Sequence, residues 1–302
     1  ILVTGPTGSG KTTTLYSFLR KLRTVTTNLV SVEDPVEYRI EGVNQIQVNS
    51  EIGLTFAGCL RAILRQDPNV ILVGEIRDSE TAEIAFRAAM TGHLVLSTLH
   101  TNDSLSSITR LLDLGVPRYL VGSLLVGVIA QRLVRKVCEN CAAQKSADPE
   151  GKGGFFTNKE EDMRRSCPFC LGCGFKGRLG IYEILEVSSR LKELISRGSS
   201  LQELRSAAVE AGFETLAQDG LQKARDGLTT EDEVWRVADT QDESLIRCPA
   251  CGKQLSGDFL SCPYCAAGIS QSCQKCSRII QPDWILCPFC RCRSHPPEEE
   301  KR

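Results

Sequence analysis

The first 135 residues predict an α/β fold with a mostly parallel sheet, and three observations carry that expectation. Short apolar runs alternate with helical patterns along this stretch, and short buried strands separated by helices imply crossover connections and parallel pairing. A glycine-rich turn joins the first apolar run to the first helical pattern. Close cysteine pairs begin only after this region, which marks a change of architecture downstream.

The elements follow in order. Strand candidates are residues 1–4, 29–32, 70–73 and 94–97; helix candidates are 11–23, 56–65, 79–90 and 104–114. Asp67-Pro68-Asn69 punctuates the step from the second helix to the third strand. The longest apolar run, 119–130, holds 12 residues with two glycines. It is too short to span a bilayer and reads as a buried helix. Residues 136–187 form a cysteine-bearing insert whose polar middle, 144–165, reads as a loop. Residues 188–240 are helical and amphipathic, with Asp226-Gly227 stopping one helix and Thr229-Thr230-Glu231 starting the next. A polar linker, 241–247, leads to an internal repeat over 248–295, and the closing PPEEEKR reads as a disordered tail.

Composition narrows the class. A length of 302 residues allows two or three domains and a core large enough for an α/β enzyme. A net charge of −1 supplies no global field to attract nucleic acid or membrane. The opening residues do not read as a signal peptide. Ile1 is not an initiator methionine and the only methionines are Met90 and Met163, so the chain is expected to be a fragment of a longer protein. Of 15 cysteines, twelve form six separate C-x-x-C pairs, leaving Cys59, Cys173 and Cys292 over. Such spacing reads as zinc sites rather than disulfides, and argues for a reducing compartment, the cytoplasm.

The chemistry begins at the first turn. Residues 1–12 read ILVTGPTGSGKT, and Gly5-Pro6-Thr7-Gly8-Ser9-Gly10-Lys11-Thr12 fits G-x-x-x-x-G-K-[ST], the Walker A phosphate loop. The glycines let the backbone turn tightly, so that its N–H groups aim at phosphate oxygens. Lys11 brings a point charge to the β- and γ-phosphates, Thr12 a hydroxyl to Mg²⁺, and the following helix the positive end of its dipole. An incidental glycine-rich turn would not require a strand directly upstream and a helix directly downstream.

Three further segments bear on a nucleotide. SVEDPVEY delivers Glu33 and Asp34 at the end of an apolar strand, the edge where parallel sheets bind ligands. A carboxylate there can hold an attacking water and take its proton; a solvated acidic loop fits the residues equally. VILVGEIRD matches a Walker B strand with Glu75 as its acid, preceded by Gly74, where Asp is more usual. GHLVLSTLHTND brackets one strand with His93 and His100, two of the chain's three histidines. For His100, beside Thr98 and Thr101, γ-phosphate contact and a structural role stand open together; for His93 the structural role has the better support.

The cysteine pairs organise the rest. Cys138/Cys141 and Cys167/Cys170 lie in the insert. Cys248, Cys251, Cys262 and Cys265 each recur 25 residues later as Cys273, Cys276, Cys287 and Cys290, with Phe259 matched by Trp284 and Tyr264 by Phe289. These read as two tandem zinc ribbons, each too small to bury a sufficient core without a four-cysteine metal.

Together the runs VEDPVEY, TFAGCLRAILRQDPNVILVGEIRDSETAEIAFRAAMTGHLVLSTLHTNDS and VIAQRLVRKVCENC strongly resemble the type II/type IV secretion ATPases, over about residues 1–240. The resemblance implies a RecA-like P-loop core (1–135), a tetracysteine zinc element (136–187) and a C-terminal helical subdomain (188–240), with the double zinc ribbon (248–295) added beyond it. It implies ATP and Mg²⁺ at Lys11 and Thr12, Glu33 as the catalytic glutamate, Glu75 as the Walker B acid, and His93 and His100 as the histidine-box pair. It implies a homo-hexamer, cytoplasmic and peripheral at the inner membrane, that acts on a platform protein to assemble a type IV pilus or the type II pseudopilus. The tetracysteine element and GFKGRLGIYEIL resemble the assembly branch rather than retraction motors. Family N-terminal domains, with the arginines that complete the active site, lie outside this sequence. Cys59 stands in a TFAxGLR-like segment at a usually small position, and Cys173 where Thr or Ser is usual. The competing readings are a retraction-type motor, a nucleotide-gated scaffold, and, for the ribbons, protein docking ahead of nucleic-acid binding because basic residues are few.

Overall fold

The apolar runs form strands where a parallel sheet needs them. The computed structural model describes residues 1–140, 167–238, 245–248, 250–251, 254–256, 262, 265, 267, 271–272, 279–280 and 292. The chain divides into two compact units, Ile1–Asp239 and Thr240–Arg302. The first is built on a seven-stranded sheet. Its strands are β1 (Leu2–Thr4), β2 (Leu29–Glu33), β3 (Asn44–Gln47), β4 (Val70–Val73), β5 (Leu94–Leu99), β6 (Gly127–Val137) and β7 (Phe175–Glu186), in the order β3-β2-β4-β5-β1-β6-β7. All neighbours pair in parallel except β6 and β7, which form an antiparallel hairpin at one edge.

Every residue of β2 and β4 is buried, as expected for strands covered on both faces. Alternate residues feed two cores. Val30, Val32, Ile71 and Val73 face one layer; Leu29, Val70 and Leu72 face the other. Helix α1 (Lys11–Leu22) closes the second layer with Leu15, Tyr16 and Leu19. Helices α2 (Phe56–Ile63), α3 (Ser79–Met90) and α4 (Ser104–Asp113) close the first. Each of these three starts where a side chain accepts a first-turn amide: Thr55 from Gly58, Asp78 from Thr81 and Asp103 from Ser106.

Two expectations need correction. The apolar stretch 119–130 is not one buried helix: α5 (Arg118–Leu124) takes its first half and β6 begins within it at Gly127. A strand covered on both faces loses its alternation, as where Val128 and Ile129 enter opposite cores, so its apolar run imitates a buried helix. The insert 136–187 is also less separate than its composition suggests. β7 lies within it and pairs with β6 from Gly127–Glu186 to Val137–Phe175, so Cys138, Cys167 and Cys170 sit at the connecting end of a hairpin belonging to the main sheet. The expected loop at 144–165 lies outside the described residues.

The helical tail is α6 (Ser189–Arg197), α7 (Leu201–Glu210), α8 (Leu216–Arg225) and α9 (Glu231–Ala238). Reciprocal capping boxes, Ser200–Glu203 and Thr215–Gln218, start α7 and α8. Buried Glu183 of β7 accepts from Ser104 N (2.9 Å), Ser104 Oγ (2.6 Å) and Leu216 N (3.4 Å), serving the starts of α4 and α8 at once. In the second unit β8 (Leu245–Arg247) pairs with β9 (Gln254–Ser256), and β10 (Gln271–Ser272) with β11 (Ile279–Ile280). Among the described residues no helix is long and apolar enough to cross a membrane.

Glu233 fastens α9 to β6. It is 2% exposed and accepts from Arg135 N (2.9 Å), an Arg135 guanidinium N–H (2.7 Å), and Arg236 Nε (3.0 Å) and NH2 (2.8 Å). Burial opposes its charge, but the Arg236 and Arg135 donors outweigh burial and hold its carboxyl down to about 2. The clamp therefore stabilises fully above the ordinary carboxylate range and is lost as pH falls through about 2. Glu233→Gln is expected to destabilise the fold by about 1–2 kcal/mol at pH 7, discounted for the exposed arginines. The gap from wild type should narrow as pH falls from about 4.5, where the unfolded-state carboxylate gains its proton while the native one stays ionised, towards about 2. Thermal melts of both proteins between pH 7 and pH 3 measure it; a pH-independent gap counts against the clamp.

Candidate functional site

The loop after β1 is shaped by what lies beneath it. Gly5 has φ 148° and Gly10 φ 91°, backbone regions that L side chains rarely adopt. A Cβ on Gly5 would stand 2.5 Å from the Gln131 carbonyl oxygen, and one on Gly10 2.7 Å from Gln131 Nε2. Both positions need glycine for space as well as conformation. Gly10 is the N-cap of α1 and brings no capping side chain, so no side chain caps the first-turn amides, which suits an anion. Lys11 Nζ donates to the carbonyls of Gly5 (2.8 Å) and Pro6 (3.1 Å). Burial lowers the Lys11 pKa, Glu75 opposes that shift, and Arg132 adds to it.

The carboxyl ends of β2, β4 and β5 supply the opposite wall. Glu33 closes β2, is 3% exposed, and is surrounded by donors. Tyr16 OH from α1 donates to Oε2, while Ser31 Oγ (2.5 Å) and Gln45 Nε2 (3.2 Å) donate to Oε1. Burial and the Glu33 hydrogen bond push the Tyr16 phenol well above its ordinary range. Glu75 follows β4 and is 8% exposed. Its Oε1 pairs closely with Arg77 NH2, and its Oε2 lies 3.4 Å from His100 Nε2 yet holds no hydrogen bond. The Glu75 carboxylate raises the Arg77 pKa through that hydrogen bond and its charge. Thr98 Oγ1 donates to Gly74 O (2.7 Å), tying β5 to the turn that carries Glu75.

These walls enclose a cavity of about 590 Å³, lined by Lys11, Thr12, Glu33, Glu75 and His100 among others. Thr7, Gly8, Ser9 and Gly10 line it too. His93 does not. It sits before the opposite end of β5 from His100, about 20 Å away along an extended strand. There its Nδ1 contacts Ala88 O (2.9 Å) and Thr91 Oγ1 (3.0 Å), which corrects its place beside the nucleotide. The motifs also missed residues that meet the site: Tyr16, Arg77, Gln131 and, lining the cavity from β7, Arg178. Gln131 and Arg132 did leave a signal, two polar residues interrupting an apolar run. Tyr16 left none, because its ring occupies a core position and only its hydroxyl reaches Glu33.

The cysteines gather as their spacing predicts where they are described. The sulfurs of Cys138, Cys167 and Cys170 lie within 4.8 Å of one another, and all three residues are buried; Cys141 lies outside the described residues. The Cys170 amide foremost pulls the Cys167 thiol down to about 6. Cys173 instead donates to Phe175 O at 3.1 Å. In the second unit Cys248, Cys251, Cys262 and Cys265 form a second cluster within 4.8 Å, with Cys248–Cys265 at 3.5 Å and Cys251–Cys262 at 3.6 Å. Cys273, Cys276, Cys287 and Cys290 lie outside the described residues.

Comparison with known proteins meets this geometry. Type II secretion system protein HxcR of Pseudomonas aeruginosa is 48% identical over 237 residues, 78% of this chain and 48% of HxcR. Type IV pilus assembly ATPase PilB of Thermus thermophilus is 49% identical over 239 residues, 77% of this chain and 27% of PilB. Type II secretion system ATPase E of Vibrio cholerae is 48% identical over 241 residues, 78% of this chain and 48% of that ATPase. The chain spans about half the length, or less, of these curated relatives. The pilus retraction motor PilT, solved with bound ADP, matches with a TM-score of 0.60 at 33% identity, covering 80% of this chain and 62% of PilT. That likeness makes the first unit a RecA-like P-loop fold. A family model described as "Type II/IV secretion system protein" matches residues 1–236, and the chain belongs to that family.

Proposed function

We propose that this chain is the ATP-hydrolysing part of a motor that assembles type IV pili or the pseudopilus of type II secretion. The observation that carries the reading is the cavity in which the Lys11–Thr12 turn faces Glu33 and Glu75. The site suits a magnesium nucleotide. Among the described residues, the buried side-chain atoms without a hydrogen-bond partner are Ser9 Oγ and Glu75 Oε2, and both residues line this cavity. Identities of 48–49% to secretion and pilus assembly ATPases, against 33% to PilT, support assembly over retraction.

Lys11 and the open first-turn amides of α1 hold the phosphate charge, and the Thr12 hydroxyl serves Mg²⁺. When bound, Mg²⁺ neutralises charge on the β- and γ-phosphate oxygens. Water attacks the γ-phosphorus, the bond to the bridging oxygen breaks with its electron pair leaving on ADP, and a carboxylate takes the water's proton. Glu33 has three of about four acceptor sites already filled by Tyr16, Ser31 and Gln45. Glu75 has a whole oxygen without a donor. The proton therefore goes to Glu75, and Glu33, first expected in that role, holds Tyr16 and α1 in place. His100 stands beside Glu75, while Arg77 and Arg178 bring cationic charge to the cavity from this chain.

The assembly is a homo-hexamer, cytoplasmic and peripheral at the inner membrane through a platform protein; the family's type II secretion and pilus membership supports this. Zn²⁺ suits the cysteine donor sets, Cys138, Cys167 and Cys170 with Cys141, and Cys248, Cys251, Cys262 and Cys265. Cys273, Cys276, Cys287 and Cys290 supply a third set by repetition. The ribbons dock protein rather than nucleic acid.

In the full-length protein Lys11→Ala is expected to abolish ATP turnover, and a wild-type rate in that variant would sink the assignment. Glu75→Gln is expected to lower kcat by ~100-fold or more with ATP affinity kept. Glu33→Gln should lower kcat less and reduce thermal stability by about 1–3 kcal/mol; the opposite ranking returns the proton to Glu33. Elemental analysis is expected to find three zinc ions per chain, one for each set of four cysteines. The double variant Cys248→Ser, Cys262→Ser should reduce that count to two, and an unchanged count rejects the ribbon site.

A further inference from the structure

β6 passes directly beneath the phosphate loop, and one of its residues meets the loop on several sides. Gln131 is 2% exposed. Its Nε2 donates to the Ser9 carbonyl at 2.7 Å, and its Oε1 accepts from Thr14 Oγ1 at 2.7 Å. Its backbone carbonyl and its carboxamide fill the space that Gly5 and Gly10 leave by lacking a Cβ. Glutamine is suited to this place because its carboxamide carries a donor and an acceptor on adjacent atoms. Methionine has a similar length but neither strong group, and glutamate has no N–H for the Ser9 carbonyl.

The consequence follows from peptide geometry. A trans peptide is planar, so the carbonyl of one residue and the N–H of the next point in opposite directions. Holding the Ser9 carbonyl down onto Gln131 turns the Gly10 N–H away from β6, toward the open side of the loop. Thr14 lies in the first turn of α1. One carboxamide thus fixes both the loop and the helix start, with Lys11 between its two anchors. Gln131 reaches the loop from 122 residues away in sequence.

We propose that Gln131 is a positioning residue for nucleotide binding: it sets the direction of the loop amides and the start of α1 without touching phosphate. This rests on the nucleotide reading of the same cavity. The test is the dissociation constant of Mg–ATP for the full chain, measured by calorimetry, beside the melting temperature without nucleotide. Gln131→Met removes both hydrogen bonds, Thr14→Val removes one, and Thr14→Ser keeps the hydroxyl. Expected are a dissociation constant about tenfold higher for Gln131→Met, equivalent to 1.4 kcal/mol, a smaller rise for Thr14→Val, and wild-type affinity for Thr14→Ser. Should Gln131→Met fail to fold, the contrast between Thr14→Val and Thr14→Ser decides. Variants that melt earlier yet bind ATP as wild type does, well below their melting temperatures, overturn the proposal and leave Gln131 a packing residue. A wild-type chain that binds no Mg–ATP, or binds it as well with Lys11→Ala, overturns the nucleotide reading instead.

Discussion

The position of β1 between β5 and β6 is the constraint on which the site depends. A loop with three glycines among its eight residues, Gly5 to Thr12, has few side chains to hold itself, so its shape must come from its neighbours. On the β5 side, Thr4 Oγ1 meets the carbonyls of Leu99 (3.0 Å) and Thr101 (2.9 Å). On the β6 side stands Gln131, with Arg132 donating to Asn102 O (2.8 Å) next to it. The loop is thereby held between two strands that also carry other parts of the site. β5 leads to His100, and β6 turns back through β7 to Arg178.

Buried carboxylates show how the fold distributes polar demand. An ionised carboxylate away from water needs donors to offset the loss of hydration. Glu33, Glu183 and Glu233 each find them: a phenol, a hydroxyl and an amide side chain for the first, helix-start amides for the second, two arginines for the third. Glu75 is different. One of its oxygens has Arg77, and the other is buried 3.4 Å from His100 Nε2 without a hydrogen bond. A fold that satisfies the other three leaves unmet acceptor capacity at a residue lining the cavity, where a donor or a cation would meet it.

Much of this was legible in the sequence, for reasons that can be named. β2 and β4 announced themselves because a parallel strand covered on both faces is apolar throughout, and the loop between β1 and α1 because its geometry demands glycine. β3 gave no signal: Asn44–Gln47 is a polar edge strand with no fully buried residue. The start of β6, 127–130, reads as the end of a helix because Val128 and Ile129 pack into cores on opposite faces of the sheet, which hides the strand period. Within the site, motifs identified residues whose chemistry depends on local spacing, such as Lys11, Thr12 and Glu75. They missed Tyr16, Gln131 and Arg178, which arrive from a helix core or from a distant hairpin. They also placed His93 with His100, since strand length separates what sequence brackets together. No motif could tell that Glu33 is enclosed by donors, because Gln45 reaches it from the next strand.

The central place of β1 also bears on how the chain is made. Leu2 pairs with Ser97 on one side and Val128 on the other. A ribosome adding about 5–20 residues per second would leave the second edge of β1 without its partner for about 6–25 s. Through that interval an apolar strand exposes unpaired backbone, the condition that invites pairing with other chains. Neighbouring β2 and β4 come within 41 residues of each other (Leu29 to Val70) and can join much sooner. The strand that leads into the glycine-rich loop is thus among the last of its sheet to be locked in, and its early protection must come from outside the sheet.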